Sequence, residues 1–154
     1  MVEDSGEKQL EEKVIEIRRV AKKAEGGNRF SFTAMVVVGD RAGSVGVGVG
    51  KAPSARAAIE KAARKAKKTL IEIPLRDGTI PFPVEVKRGA AHIQLRPRPS
   101  GSGISVGGSA RVVAELAGIE DISGKVLGTR NKPLNAYAML EALKKLKKLS
   151  LRYE

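Results

Sequence analysis

The chain has 154 residues, 42% of them apolar, so it can bury one core or two small ones without staples. Its 29 Lys and Arg against 17 Asp and Glu give a formal net charge of +12, an electrostatic footprint that points to nucleic acid ahead of anionic membrane. With no cysteine, disulfides and thiolate metal sites are excluded.

The start, Met1-Val2-Glu3-Asp4-Ser5, is acidic and lacks an apolar core. No secretory signal is visible and no stretch approaches the length of a membrane span, so a cytoplasmic protein is expected. Apolar and charged residues then partly alternate over residues 13–23, and a second run over residues 30–38 is rich in aromatic and β-branched side chains. Two such runs about Gly26-Gly27-Asn28 predict a β-hairpin with that tip.

After the turn Gly39-Asp40-Arg41-Ala42-Gly43, Val45, Val47 and Val49 alternate with Gly46, Gly48 and Gly50 in a third strand. One face of that strand has no side chains, which implies close approach by a helix or another backbone. Small apolar residues at three- and four-residue spacing predict a helix over residues 53–70, with Arg56, Lys61, Arg64, Lys65, Lys67 and Lys68 on its other faces. Pro74, Pro81 and Pro83, with Asp77-Gly78 between them, mark a junction near Pro74. Beyond it the pattern predicts strands at 84–87 and 91–96, a Gly-rich segment at 101–108, a helix at 109–117, a strand at 122–127 and a basic amphipathic helix at 134–149.

The glycines do not form a nucleotide site. Gly50-Lys51 has Val45 where a phosphate loop needs glycine and Ala52 where it needs Ser or Thr. Gly101-Ser102-Gly103 reaches its third glycine one position late for a dinucleotide fingerprint. Gly107-Gly108 before a helix carrying Arg111 could offer N–H groups to an anion, or could simply need positive φ angles. His92 is the only histidine, so no metal cluster or histidine triad can be built around it, and a structural or RNA-facing role is expected. Glu120 and Asp121 read as ordinary solvated charge. No catalytic residue, metal ligand or cofactor is expected.

The cations are more informative because they cluster. Arg18, Arg19, Lys22, Lys23 and Arg29 lie on the hairpin, whose tip can reach into irregular RNA and follow phosphates. An aromatic content of 3% argues against a base-stacking platform and for recognition of shape and phosphate.

Arg18-Arg19-Val20, then Gly26-Gly27-Asn28-Arg29-Phe30-Ser31-Phe32, Val37-Val38-Gly39-Asp40 and Val45-Gly46-Val47-Gly48-Val49-Gly50-Lys51-Ala52 resemble the amino-terminal half of the ribosomal protein uS5 family. Gly78-Thr79-Ile80-Pro81, Gly101-Ser102-Gly103-Ile104, Gly107-Gly108, Arg111, Glu115-Leu116-Ala117-Gly118-Ile119 and Lys125 follow the order of its second half. The resemblance implies an α+β protein. A double-stranded-RNA-binding-like domain over residues 10–73, a three-stranded antiparallel sheet plus a helix, would be followed by a smaller α/β two-layer domain over residues 74–149. Residues 1–9 would be a flexible segment and residues 150–154 a tail.

The same resemblance implies a structural constituent of the small ribosomal subunit that binds 16S-type rRNA and braces the head against the body. Its neighbours would be uS4 and uS8, it would lie near the path by which messenger RNA enters, and it would influence translational accuracy through uS4. By position, the rRNA-binding set would be Arg18, Arg19, Lys22, Lys23, Gly26, Gly27, Asn28, Arg29, Lys51, Arg56, Lys61 and Arg64. The side toward uS4 would be Gly103, Gly107, Gly108 and Arg111, and the family's spectinomycin-sensitive loop would fall at residues 24–28. Lys132 between Asn131 and Pro133 departs from the family's usual loop, so the course of residues 131–135 is left open. The alternative is a non-ribosomal RNA-binding regulator or chaperone; a phosphotransfer enzyme is disfavoured because neither phosphate motif closes.

Overall fold

Two alternating segments joined by glycines can satisfy each other's backbone groups, and the first quarter of the chain does so. In the computed structural model, which describes residues 9–152, strand β1 (Glu11–Ala24) pairs antiparallel with β2 (Gly27–Gly39), from Glu11 opposite Gly39 to Ala24 opposite Gly27. The turn is therefore Glu25-Gly26, and Gly27 and Asn28 belong to the ladder rather than to the tip. Gly26 and Gly27 have φ of +85° and +140° with open space where a Cβ would stand, so the backbone angle, not packing, demands glycine there. The alternation along β1 is imperfect because the register shifts between Val14 and Glu16, leaving Ile15 as the extra residue of a bulge.

Strand β3 (Ser44–Ala52) pairs with β2, and a short β4 (Ile71–Glu72), absent from the sequence expectation, completes the order β1-β2-β3-β4. Helix α1 (Ala55–Lys68) begins at Ser54, whose hydroxyl accepts the Ala57 N–H at 3.2 Å, and ends with Lys65, Lys67 and Lys68 near its negative dipole end. Its Ala58, Ala62, Ala63 and Ala66 pack on Ala34, Val36 and Val38. The bare face of β3 is explained by this helix. A Cβ on Gly48 would lie 2.5 Å from Ala66 N, and one on Gly50 2.5 Å from Ala62 N.

The second half contains β5 (Val84–Arg88), β6 (Ala91–Pro97), β7 (Ile104–Ser105), α2 (Gly108–Ala117), β8 (Ile122–Leu127) and α3 (Lys132–Arg152). Its sheet has the order β5-β6-β8-β7, with β7 parallel to β8. Ile93, Leu95 and Ile122 are buried with Val113, Leu116, Met139 and Leu143, giving a sheet with two helices on one face. Asn131 starts α3: its Oδ1 accepts the Leu134 N–H at 3.0 Å, so Lys132 and Pro133 fall in the first turn, where proline's missing N–H costs nothing. The helix continues through Arg152, beyond the expected end at residue 149 and into the segment read as a tail; residues 1–8, 153 and 154 lie outside the described residues.

The two halves share apolar contacts. Met35 and Val37 of β2 and Val45 and Val47 of β3 join the core of the second half, while the intervening β2 residues face α1. The first sheet is thus covered on both faces at its base. The chain after β2 is fixed to the end of α2 by Arg41 N–H donating to Leu116 O and Gly43 N–H to Ala117 O, both at 2.9 Å. Among the described residues, no helix is long and apolar enough to cross a membrane.

Candidate nucleic-acid interface

The hairpin outruns the layers that cover its base. From the Arg19–Phe32 pair to the Ala24–Gly27 pair it extends about 17 Å at the rise of an antiparallel strand. Arg18, Arg19, Val20, Ala21 and Lys23 are exposed on one strand, and Arg29 and Phe30 on the other.

Pairing register assigns the cations to faces. Arg19 is opposite Phe32 and Lys23 opposite Asn28, on the face that α1 covers farther down; Arg18 is opposite Thr33 and Arg29 opposite Lys22, on the reverse face. Cationic side chains therefore stand on both sides of the ribbon. For Lys22 and Asn28 only the backbone pairing is described.

The guanidinium of Arg19 lies 4.0 Å from the centroid of the Phe30 ring. Stacking holds it flat and leaves its in-plane N–H donors free for oxygen acceptors, the geometry a phosphate needs. Arg18 is partly neutralised, since its Nε is 2.8 Å from Glu16 Oε1. Lys23 and Arg29 have no ion-pair partner among the described residues.

The remaining cations continue from the arm. Lys51 is opposite Thr33, which is opposite Arg18, so Lys51 and Arg18 share a face two strands apart, roughly 10 Å. Lys61 donates its Nζ to the Lys51 carbonyl at 3.2 Å. Arg56 stands 92% exposed near the start of α1, with Glu60 Oε1 3.6 Å from its Nε, and Arg64 is exposed farther along. An ion pair that open is worth little, so Arg56 remains available to a polyanion.

Gly103, Gly107, Gly108 and Arg111 cluster elsewhere, around the start of α2. Gly103 and Gly108 have φ of +78° and +65°, while Gly107 caps the helix in extended conformation with no side chain to bond its first N–H groups. Arg111 is engaged: its Nε donates to Glu115 Oε1 at 3.0 Å, and Lys13 of β1 reaches Glu115 Oε2 at 3.4 Å. The Arg111 hydrogen bond, with Lys13 behind it and burial opposing both, holds the Glu115 carboxyl below its ordinary value.

Two residues behave differently from their sequence reading or were left open by it. Asp121 is not solvated: it is 3% exposed, and its Oδ1 accepts the Gly103 N–H at 2.9 Å, which pins the glycine loop ahead of α2. Its burial could not be read from two adjacent acids at a turn. His92, on the open face of the second sheet, lies 2.9 Å from Glu85 Oε1 and lowers that carboxyl's pKa.

With this geometry in place, comparison with known proteins is specific. Residues 10–74 match the family described as ribosomal protein S5, N-terminal domain, and residues 86–152 match ribosomal protein S5, C-terminal domain. The chain is 50% identical over 142 residues to the small ribosomal subunit protein uS5 of Thermus thermophilus, covering 92% of this chain and 87% of that one. It is 45% identical over 141 residues to the small ribosomal subunit protein uS5c of Cyanophora paradoxa, covering 91% and 83%.

Proposed function

The chain belongs to the ribosomal protein S5 family, a structural and non-enzymatic family, and from that premise we propose how its surfaces divide the task of holding a ribosomal particle together. Its role is structural, in the small ribosomal subunit, with rRNA as partner and ribosomal proteins as neighbours. A free regulator or chaperone is disfavoured, because the likeness runs through both halves and 92% of the chain.

In our reading the hairpin is the rRNA arm. Arg19, Lys23 and Arg29 meet phosphates on either side of it, Gly26 and Gly27 let its backbone turn within folded RNA, and Lys22 and Asn28 add to the same end. Arg18, Lys51, Arg56, Lys61 and Arg64 extend the contact across β3 and α1. A ribbon with cations on both faces suits a cleft between RNA segments, which is how it would brace the head against the body. The glycine loop and Arg111 would lie toward uS4 and act on translational accuracy through that contact, with uS8 a second neighbour and messenger RNA close by.

The observation that carries this reading is the arm itself: an uncovered ribbon whose Lys23 and Arg29 have no acidic partner among the described residues. Sedimentation of a cell lysate through a sucrose gradient, with fractions probed for the chain, tests it. Co-migration with the small subunit through moderate salt is expected. Retention at the top of the gradient beside intact small subunits would reject a stoichiometric ribosomal role and favour the regulator.

A further inference from the structure

A strand inside a sheet is paired along both edges, but β3 has β4 beside it only at Ser44 and Val45. The rest of its outer edge has no strand. Which residues point outward there follows from three contacts: Val45 pairs with Ile71, the Val47 carbonyl accepts from Thr69 Oγ1 at 3.2 Å, and the Lys51 carbonyl accepts from Lys61 Nζ at 3.2 Å. The odd-numbered residues therefore face out, and Val49 between them presents both its N–H and its C=O, with neither bonded among the described residues.

This edge lines a groove of about 520 Å3 between the first sheet and α3. Val47, Val49, Tyr137 and Leu140 give it apolar walls, and Lys51, Lys65 and Lys144 are placed around it. None of the three lysines has an acidic partner among the described residues. Arg88, also at the groove, is held by Glu141 and lies over the Tyr137 ring at 5.2 Å.

We propose that the groove receives an extended, acidic segment of a neighbouring protein, which adds to β3 as a further strand. Residues 47–51 offer roughly 15 Å of edge, enough for a short ladder in which main-chain bonds give affinity and alternate side chains enter the apolar walls. A peptide can both accept from the Val49 N–H and donate to its C=O. A phosphate can only accept, would leave that carbonyl unmatched, and would meet the Glu141 carboxylate. Lys65 and Lys144, which the rRNA contact does not use, decide the charge of the occupant: they keep the bare edge from pairing with basic or neutral strands and attract an acidic one.

The test is amide hydrogen exchange on the full chain, mixed with a short peptide alternating glutamate and valine. A lysine–valine peptide and a short single-stranded RNA serve as comparison ligands. Expected is slowing of exchange at Val49 and Lys51 by the acidic peptide alone, with about tenfold weaker binding, or 1.4 kcal/mol, when Lys65→Glu and Lys144→Glu are combined. Val49→Pro removes the outward N–H without touching the β2 ladder and should abolish the protection; if that variant fails to fold, the exposed double lysine variant carries the test. No slowing by the acidic peptide, equal slowing by the lysine–valine peptide, unchanged binding in the double variant, or protection conferred by the RNA instead would each overturn the proposal.

Discussion

At its base, the β1–β2 hairpin has α1 packed against Ala34, Val36 and Val38 on one face and the second half of the chain against Met35 and Val37 on the other. Near its tip the same two strands have no cover, and Val20 and Phe30 are 40% and 45% exposed. Backbone pairing nevertheless runs from one end to the other, interrupted only by the bulge at Ile15. Strand pairing alone is marginally stable in water, so the arm is held out by the rigidity of its base, and its side chains are released from packing to meet a ligand. Substitutions at the two ends should therefore fail in different ways: at the base the fold suffers, and near the tip binding does.

The largest expected effect is at the base. Gly48→Val places side-chain atoms against the α1 backbone, where even a Cβ would lie 2.5 Å from Ala66 N, and should cost about 3 kcal/mol or more in urea-unfolding stability. Gly26→Ala at the turn meets no neighbour within 4 Å and suffers only its positive φ, for a cost of about 1 kcal/mol. Equal losses at the two positions would show that α1 does not clamp the sheet.

Much of this contrast is legible in the sequence. The Val-Gly alternation of residues 45–50 announces a strand with one bare face, and the alanine stripe of residues 55–66 announces a helix able to approach it; the structure joins the two. Less legible are features fixed by tertiary partners. Ile15 interrupts the alternation of β1 only because of its bulge, and β4, two residues long, is recognisable only by its pairing with Ser44 and Val45. Asp121 looks solvated until the fold places the Gly103 N–H against it. Asp121→Ala should leave that half-buried donor without its acceptor and cost about 1 kcal/mol, while leaving RNA binding by the arm unchanged at equal folded fraction. Within the candidate interface, the cluster of cations was readable, but which of them share the face that α1 covers was not, because that depends on the register set beyond the bulge.

The arm is expected to respond in the opposite sense. Arg19→Ala, Lys23→Ala and Arg29→Ala combined should change stability by no more than about 0.5 kcal/mol apart from the lost Arg19–Phe30 contact, since these side chains are exposed. The logarithmic dependence of RNA affinity on salt should fall by about two, because each lost phosphate contact removes roughly 0.7 to 0.9 of slope. Binding measured across a salt series checks this. An unchanged slope would mean that the three cations are merely solvated, and would assign the polyanion to Lys51 and α1.

The smallest effect concerns a tie that the base has and the free end of the arm lacks. Glu115 on α2 accepts hydrogen bonds from Arg111 on its own helix and from Lys13 on β1, linking the base of the hairpin to the second half. These bonds lower its folded pKa below the ordinary 4.5, so the stabilisation is present above that value and disappears as pH falls through the folded pKa. Its carboxylate is partly exposed, which limits the gain to about 1 kcal/mol or less. Glu115→Gln should therefore lower unfolding stability slightly at neutral pH, and the gap between the two proteins should narrow with acidification below 4.5. A gap that persists unchanged into acid would mean that the glutamate contributes by packing rather than by charge, and that apolar contact and the Arg41 and Gly43 backbone hydrogen bonds join the base of the hairpin to α2 without it.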